Sequence, residues 1–483
     1  MGMGRQGRMM AGRRGACAGL RHGLLLLAVV LSTGSVFAAG APAPADRSAA
    51  APAPAVAPVE FTLANGLRVI VLVDDRAPVL ATQVWYGVGS SDEPVGKTGL
   101  SHVLEHLMFK GTARVPVGEF SRLVAHFGGD DNAFTSDDQT VYYQDHLADR
   151  LALALALEAD RMQGLRFDER QFLSELQVVM EERRLRTDDN PQALAYERFK
   201  AMAYPSSPSR TPIIGWMRDL ERLTLADARD WYQRWYAPNN AVLVVAGAVT
   251  VDAVRAEAEK AFGQLRARVL PSRVPVEELP EPGERQLRLS LPGKVPTLYL
   301  GFNWPSLSSR VGAADVPALR VLAGVLDEGL SSRLEQRVVR TGKAAAIRSG
   351  YDVLARGDTL FTLTAVPGEG QALEAVRDAL LGEISLLQNE LVSPEEIRRV
   401  LANVMASDIF ARDRVADQAR LYGQLASHGL RLDTPVTYPA RLREVTPEQV
   451  RDVARRYAVP ARMTSVLLTP QASVASAPEG EQP

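Results

Sequence analysis

The chain has 483 residues, 46% of them apolar and 23% charged, an ordinary globular balance long enough for two large domains. Its formal charge is −2, and loss of the first 38 residues, with five Arg and no acid, takes it to −7. Neither value suits a nucleic-acid binder, no basic patch is interleaved with aromatics, and a single Cys excludes a disulfide framework or cysteine-ligated metal.

In chain order, Arg13, Arg14 and Arg21 precede the apolar run Leu24 to Val30, and Val36-Phe37-Ala38 fits a small-residue cleavage site. This predicts a secretory signal peptide over 1–38, cut after Ala38 or Ala39, and a periplasmic location. The run is too short for a stable membrane span. Arg13-Arg14 lacks the rest of a twin-arginine signal, and Arg14 three residues before Cys17 does not fit a lipoprotein box. Residues 39–58 are Ala/Pro-rich and read as an extended tether. Phe61 to Val71 predicts two strands around Asn65-Gly66, and Thr82–Val88 a third strand.

Next comes His102-Val103-Leu104-Glu105-His106, with apolar residues at 100, 103, 104 and 107 giving helical periodicity. Positions i and i+4 share a helix face, so both imidazoles can reach one metal ion with Glu105 on the turn between them. With six His in the chain, the pattern arises by chance about once in a hundred such sequences. The competing reading is a hydrogen-bonded His pair in a core helix. Zinc held by two His normally takes one more protein ligand, often Glu, and leaves a place for water. Asp168 to Arg186 predicts a long helix, with Asp168 and Gln171 as a capping box. It carries Glu175 and Glu182, seven apart and on one face, while Glu181 turns about 100 degrees away. Between these helices, Asp131 to Tyr143 alternates enough to be strand, with Phe134, Val141 and Tyr143 as buried positions. His126, His146 and His428 read as polar loop or helix-end groups.

Gly99 to Thr112 resembles the inverted-zincin signature of the insulinase/pitrilysin metallopeptidases. Gly128-Gly129, Asn132 to Ser136, Glu158 to Met162, Asp189-Asn190-Pro191 and Ala237 to Ala241 match the family in register. The similarity runs from about 58 to 470 and is looser in the second half. It implies a zinc-dependent endopeptidase acting on peptides or unfolded segments. His102 and His106 would hold one Zn2+ per chain, with Glu182, 76 residues beyond His106, as third ligand. Glu105 would be the base that activates water, and Glu175 would orient a ligand. It also implies that Asn132, Ala133 and Phe134 lie on an edge strand to which peptide substrate adds by backbone bonds. In the second half, the family's Arg finds its nearest match in Arg340. Seven residues on, where the family has Tyr, stands Ile347; Tyr351 lies four residues later. Two-domain relatives often work in pairs, so the resemblance implies a heterodimer with a paralogous subunit carrying the Arg/Tyr pair, or a homodimer. A non-catalytic binding or assembly subunit is the alternative.

The expected organisation is a catalytic domain over 59–265, a Pro-containing linker over 266–284, a metal-free second domain over 285–470 and a polar tail over 471–483. Strands followed by helices in each half predict an α+β fold of two related domains. Each would be a mostly antiparallel sheet packed with helices, and the resemblance implies a clam-like chamber.

Overall fold

The structure is a computed structural model that describes residues 57–273 and 275–471. The expected signal peptide, the tether as far as residue 56 and the tail beyond Gln471 lie outside the described residues. The first sheet contains β1 (Val59–Thr62), β2 (Arg68–Val73), β3 (Val79–Tyr86), β4 (Asp130–Thr135), β5 (Thr140–Leu147) and β6 (Ala241–Gly247), in the order β1-β2-β6-β3-β5-β4. All its pairs are antiparallel except β2 with β6. The second contains β7 (Arg285–Pro292), β8 (Thr297–Trp304), β9 (Ala344–Tyr351), β10 (Thr359–Pro367) and β11 (Met463–Gln471), ordered β7-β11-β8-β10-β9, again with a single parallel pair, β7 with β11. From β2 onward the two orders are the same, so the halves repeat one topology. The edge strands β4 and β9 correspond, and the helix Leu100–Leu107 corresponds to Val316–Asp327, which has no His.

Side chains alternate across a strand, and both faces of the first sheet are apolar. Val69, Val71, Leu80, Val84, Leu243 and Val245 pack in the core with residues of helices Leu100–Leu107, Leu151–Gly164 and Leu225–Trp235 of the same half. On the other face Ile70, Leu72, Trp85, Val242 and Val244 meet Ala419, Tyr422 and Leu425 of helix Val415–Ser427, which belongs to the second half. The approach is close enough that a Cβ at Gly423 would sit 2.1 Å from the Trp85 indole. The exchange is reciprocal. Helix Pro191–Ala203 of the first half sets Ala195, Phe199 and Ala203 against Tyr299, Leu360, Val466 and Leu468 of the second sheet. Each fully buried large apolar side chain contributes about 1.5–3 kcal/mol. Trp85, Phe199 and Leu425 are all within 1% of full burial, so these helices alone supply several kcal/mol, comparable to a whole domain's stability.

Two expectations need correction. Asp131 to Tyr143 is a hairpin rather than one strand: Ser136-Asp137-Asp138-Gln139 turns, with the Ser136 N–H donating to Gln139 O and the Gln139 N–H to Ser136 Oγ. Val141 is buried as expected, whereas Phe134 and Tyr143 are only partly covered. His146 is a buried β5 residue whose Nε2 lies 2.9 Å from Gln144 Oε1. Residues 266–273 and 275–284 hold no helix or strand, yet they are tied down: Arg273 pairs with Asp92 at 2.7 Å, and Glu278 accepts from the Ser206 and Ser207 N–H groups.

Candidate metal centre

The helix Leu100–Leu107 buries Leu100, Val103, Leu104 and Leu107, which turns His102, Glu105 and His106 away from the core. Its first turn has no side-chain cap of its own. Instead Glu93, outside the helix, accepts from the Gly99 N–H at 2.7 Å and the Ser101 N–H at 2.6 Å, filling donors that a helix start leaves open. Gly99 sits at φ 86°, and a Cβ there would lie 2.7 Å from Ile214 O. The helix Glu169–Arg183 begins at Asp168, whose carboxylate accepts from the Gln171 N–H at 3.0 Å; only this half of the expected capping box forms. A π-helical turn, Arg184–Asp188, follows.

These two helices bring His102, His106 and Glu182 together, with one ligand atom from each within 4.8 Å of the others. His106 Nε2 lies 3.5 Å from Glu182 Oε2 and His102 Nε2 lies 4.0 Å from Glu182 Oε1. Glu175, one heptad before Glu182, approaches His106 Nδ1 at 3.4 Å and accepts from Lys110 at 2.7 Å. Glu181 points away, largely exposed and paired with Arg184. Glu105 does not join the cluster but accepts from Thr135 Oγ1 of β4 at 2.5 Å.

Electrostatics favour a cation here. Burial, together with the charge of His106, lowers the His102 ring to about 4, leaving it neutral with a lone pair to give. Burial also opposes a proton on His106, but bonds to Glu175 and Glu182 outweigh it and raise the ring to about 9. Burial pushes the Glu105 carboxyl above the usual carboxylate range, against the Thr135 bond and the His106 charge. Two carboxylates, Glu175 and Glu182, thus face the His106 ring and attract positive charge. The donor set, two imidazoles and a carboxylate with one imidazole backed by a second carboxylate, fits a zinc ion. His102 Nδ1 is buried without an acceptor among the described residues.

A cavity of about 490 Å3 opens beside this cluster, bordered by His102, Glu105 and Glu182 and by Ala133, Phe134 and Thr135 of β4. Among the described residues only β5 pairs with β4, which leaves the other edge of β4 without a strand partner. Asn132 lies on the same strand, and its side chain accepts from the Ala133 N–H at 2.8 Å. Arg340 is not brought to this cavity. It follows a π-helical turn, Glu335–Val339, where it is half-exposed and pairs with Glu335 at 3.3 Å. Ile347 lies on β9, and Tyr351 spends its hydroxyl on Pro305 O at 2.6 Å with its ring edge-on to Trp304. His126, His146 and His428 also lie elsewhere; His428 joins the halves through Gln139 Oε1 at 2.6 Å. Sequence reasoning did not single out Glu93, Thr135, Arg186 or Arg210. Thr135 stood within the Asn132 to Ser136 match, but nothing in the spacing aimed it at Glu105.

Residues 68–215 match the family model described as "Insulinase (Peptidase family M16)", and residues 222–404 match "Peptidase M16 inactive domain". The chain is 30% identical over 415 residues to "Zinc protease PqqE" of Helicobacter pylori, an alignment covering 85% of this chain and 92% of that one. A crystal structure of a protease from Helicobacter pylori superposes with a TM-score of 0.80 at 30% identity, covering 86% of this chain and 99% of that one. The periplasmic protease PqqL from Escherichia coli shares the fold at 18% identity and a TM-score of 0.70, with this chain spanning 47% of its length. Motif, topology and near full-length likeness agree: the chain belongs to the insulinase family, peptidase family M16, whose relatives here are named as zinc proteases.

Proposed function

We propose that the chain is a zinc-dependent endopeptidase that cuts peptides or unfolded polypeptide segments, with one zinc ion per chain held by His102, His106 and Glu182. One observation carries the reading: beside the three donors stands a further carboxylate, Glu105, turned to Thr135 instead of to the histidines. A purely structural metal site has no use for that carboxylate. Zinc, when bound there, would polarise a peptide carbonyl and make a water acidic enough to lose its proton near neutral pH. Glu105 accepts that proton and hands it to the leaving nitrogen, and the basicity that burial gives it suits both steps. Thr135 fixes one Glu105 oxygen. Glu175 holds the His106 ring so that Nε2 faces inward. Substrate would lie as an added strand along the free edge of β4 at Asn132, Ala133 and Phe134.

The N-terminal pattern of basic, apolar and small residues supports export through a cleaved signal peptide to a periplasm. The placement of Arg340 outside the cavity supports completion of the site by a second subunit, and Ile347 in the expected Tyr position favours a paralogue carrying the Arg/Tyr pair over a second copy. Among the described residues no helix is long and apolar enough to cross a membrane. The test is cleavage of a quenched-fluorescence peptide library by the purified mature chain, alone and with such a paralogue, with and without a chelator. Chelator-sensitive cleavage in either arrangement supports the reading; its absence in both overturns it.

A further inference from the structure

The cavity beside the proposed zinc ligands also borders on Arg186, Glu197, Lys200 and Arg210, and these charges are not equally committed. Lys200 places its ammonium 2.7 Å from both oxygens of Asp137. Glu197 is buried and takes a forked pair from Arg183 at 2.8 and 3.1 Å. Those four groups cancel. Among the described residues Arg186, its side chain largely exposed, pairs only with Glu182, the carboxylate assigned to the metal. Arg210 is exposed and has no carboxylate within 4.0 Å among the described residues; its guanidinium makes one hydrogen bond, to Pro205 O at 3.3 Å, which leaves most of its five side-chain N–H donors unused. Phe134, Tyr196, Ile213 and Ile214 supply apolar lining to the same cavity.

We propose that this cavity selects a substrate carboxylate, with Arg210 as its main receptor and Arg186 as the second. The proposal rests on the peptidase reading. Because His102, Glu105 and Glu182 border the same space, the carboxylate belongs to a residue close to the cut bond. A planar guanidinium with free donors binds a carboxylate by two parallel bonds. A Lys or Arg side chain entering the cavity would meet two like charges instead. The carboxylate can be an Asp or Glu side chain or a peptide C-terminus; the volume of about 490 Å3 admits either.

The test uses the full mature chain carrying Glu105→Gln with zinc supplied, so that binding is read without turnover. Fluorescein-labelled random nonapeptides are compared by anisotropy, with Glu, Gln or Lys fixed at one position at a time, each as C-terminal acid and amide. At one position the Glu set should bind at least fivefold more tightly than the Gln set, and 0.5 M salt should shrink that difference. Adding Arg210→Gln should abolish it, Arg210→Lys should retain part of it, and Arg210→Glu should turn the preference to Lys. A preference that follows acid over amide identifies the chain terminus as the source; one that follows internal Glu identifies the side chain. Equal binding of all sets, no binding, or a Glu preference that survives Arg210→Gln overturns the proposal. Failure of the peptidase reading looks different: carboxylate-selective binding with no chelator-sensitive cleavage by the wild-type chain. Cleavage without the preference sinks only the present inference.

Discussion

At the scale of single residues, Glu175 shows how a carboxylate off the metal can govern the site. It lies between His106 Nδ1 and the Lys110 ammonium, so one oxygen steadies the ring while the other is itself held. A ligating imidazole whose second nitrogen meets a carboxylate is fixed in orientation and made a better donor. Glu175→Gln keeps the shape and removes the charge. Zinc affinity should then fall about 10- to 100-fold, measured by competition with a chelating dye. A change under threefold would show that Glu175 does not orient His106. Lys110 lies just beyond the motif helix, which ends at Leu107, so helical spacing did not point it at Glu175. The turn of Glu105 to Thr135 was not visible in the sequence either, because those residues meet only after β4 pairs with β5.

At the scale of elements, the motif helix has eight residues, too few to be stable alone in water. It persists because four apolar side chains are buried beneath it and because Glu93 fills the N–H groups of Gly99 and Ser101. Glu93→Ala strips both acceptors. Unsatisfied buried donors cost about 1–3 kcal/mol each, so unfolding in urea should show a loss of about 2–6 kcal/mol, together with weaker zinc binding. A loss below about 0.5 kcal/mol would mean that water or another group replaces Glu93. The sequence announced this helix through the 100, 103, 104, 107 spacing and the Asp168 cap of the next helix through its neighbours, because both patterns are local. It did not announce Glu93, which lies six residues before Gly99 in a loop without periodicity. Nor did it separate β4 from β5, since the Ser136 to Gln139 turn lacks the Gly or Pro that usually marks one.

At the scale of the molecule, two sheets of like topology are fastened by exchanged helices, and polar contacts fix the seam. Asp74, after β2, takes a forked pair from Arg76 and a bond from Gln418 of the second half at 2.9 Å. The Arg76 bonds, with help from Gln418 and against burial, lower its carboxyl from 3.8 to about 2. A lowered folded-state value stabilises the protein above the unfolded value and ceases to do so as pH falls toward the folded one. The seam should therefore weaken between about pH 5 and pH 2. Asp74→Asn should be less stable than wild type at pH 7, and the difference should close over that range in thermal unfolding. A difference constant down to pH 2 would contradict the assignment. Helix exchange was illegible beforehand because amphipathic patterns mark a buried face, not its partner: Ala419, Tyr422 and Leu425 could as well have covered their own half's sheet.

The most direct test of the central claim joins zinc content to turnover in Glu105→Gln. Wild type and variant should each carry one zinc per chain by elemental analysis, while the variant loses at least 100-fold in peptide cleavage, as removal of a positioned base requires. A variant that loses its zinc with its activity, or keeps its activity with zinc in place, would contradict the division of labour between His102, His106 and Glu182 as ligands and Glu105 as base.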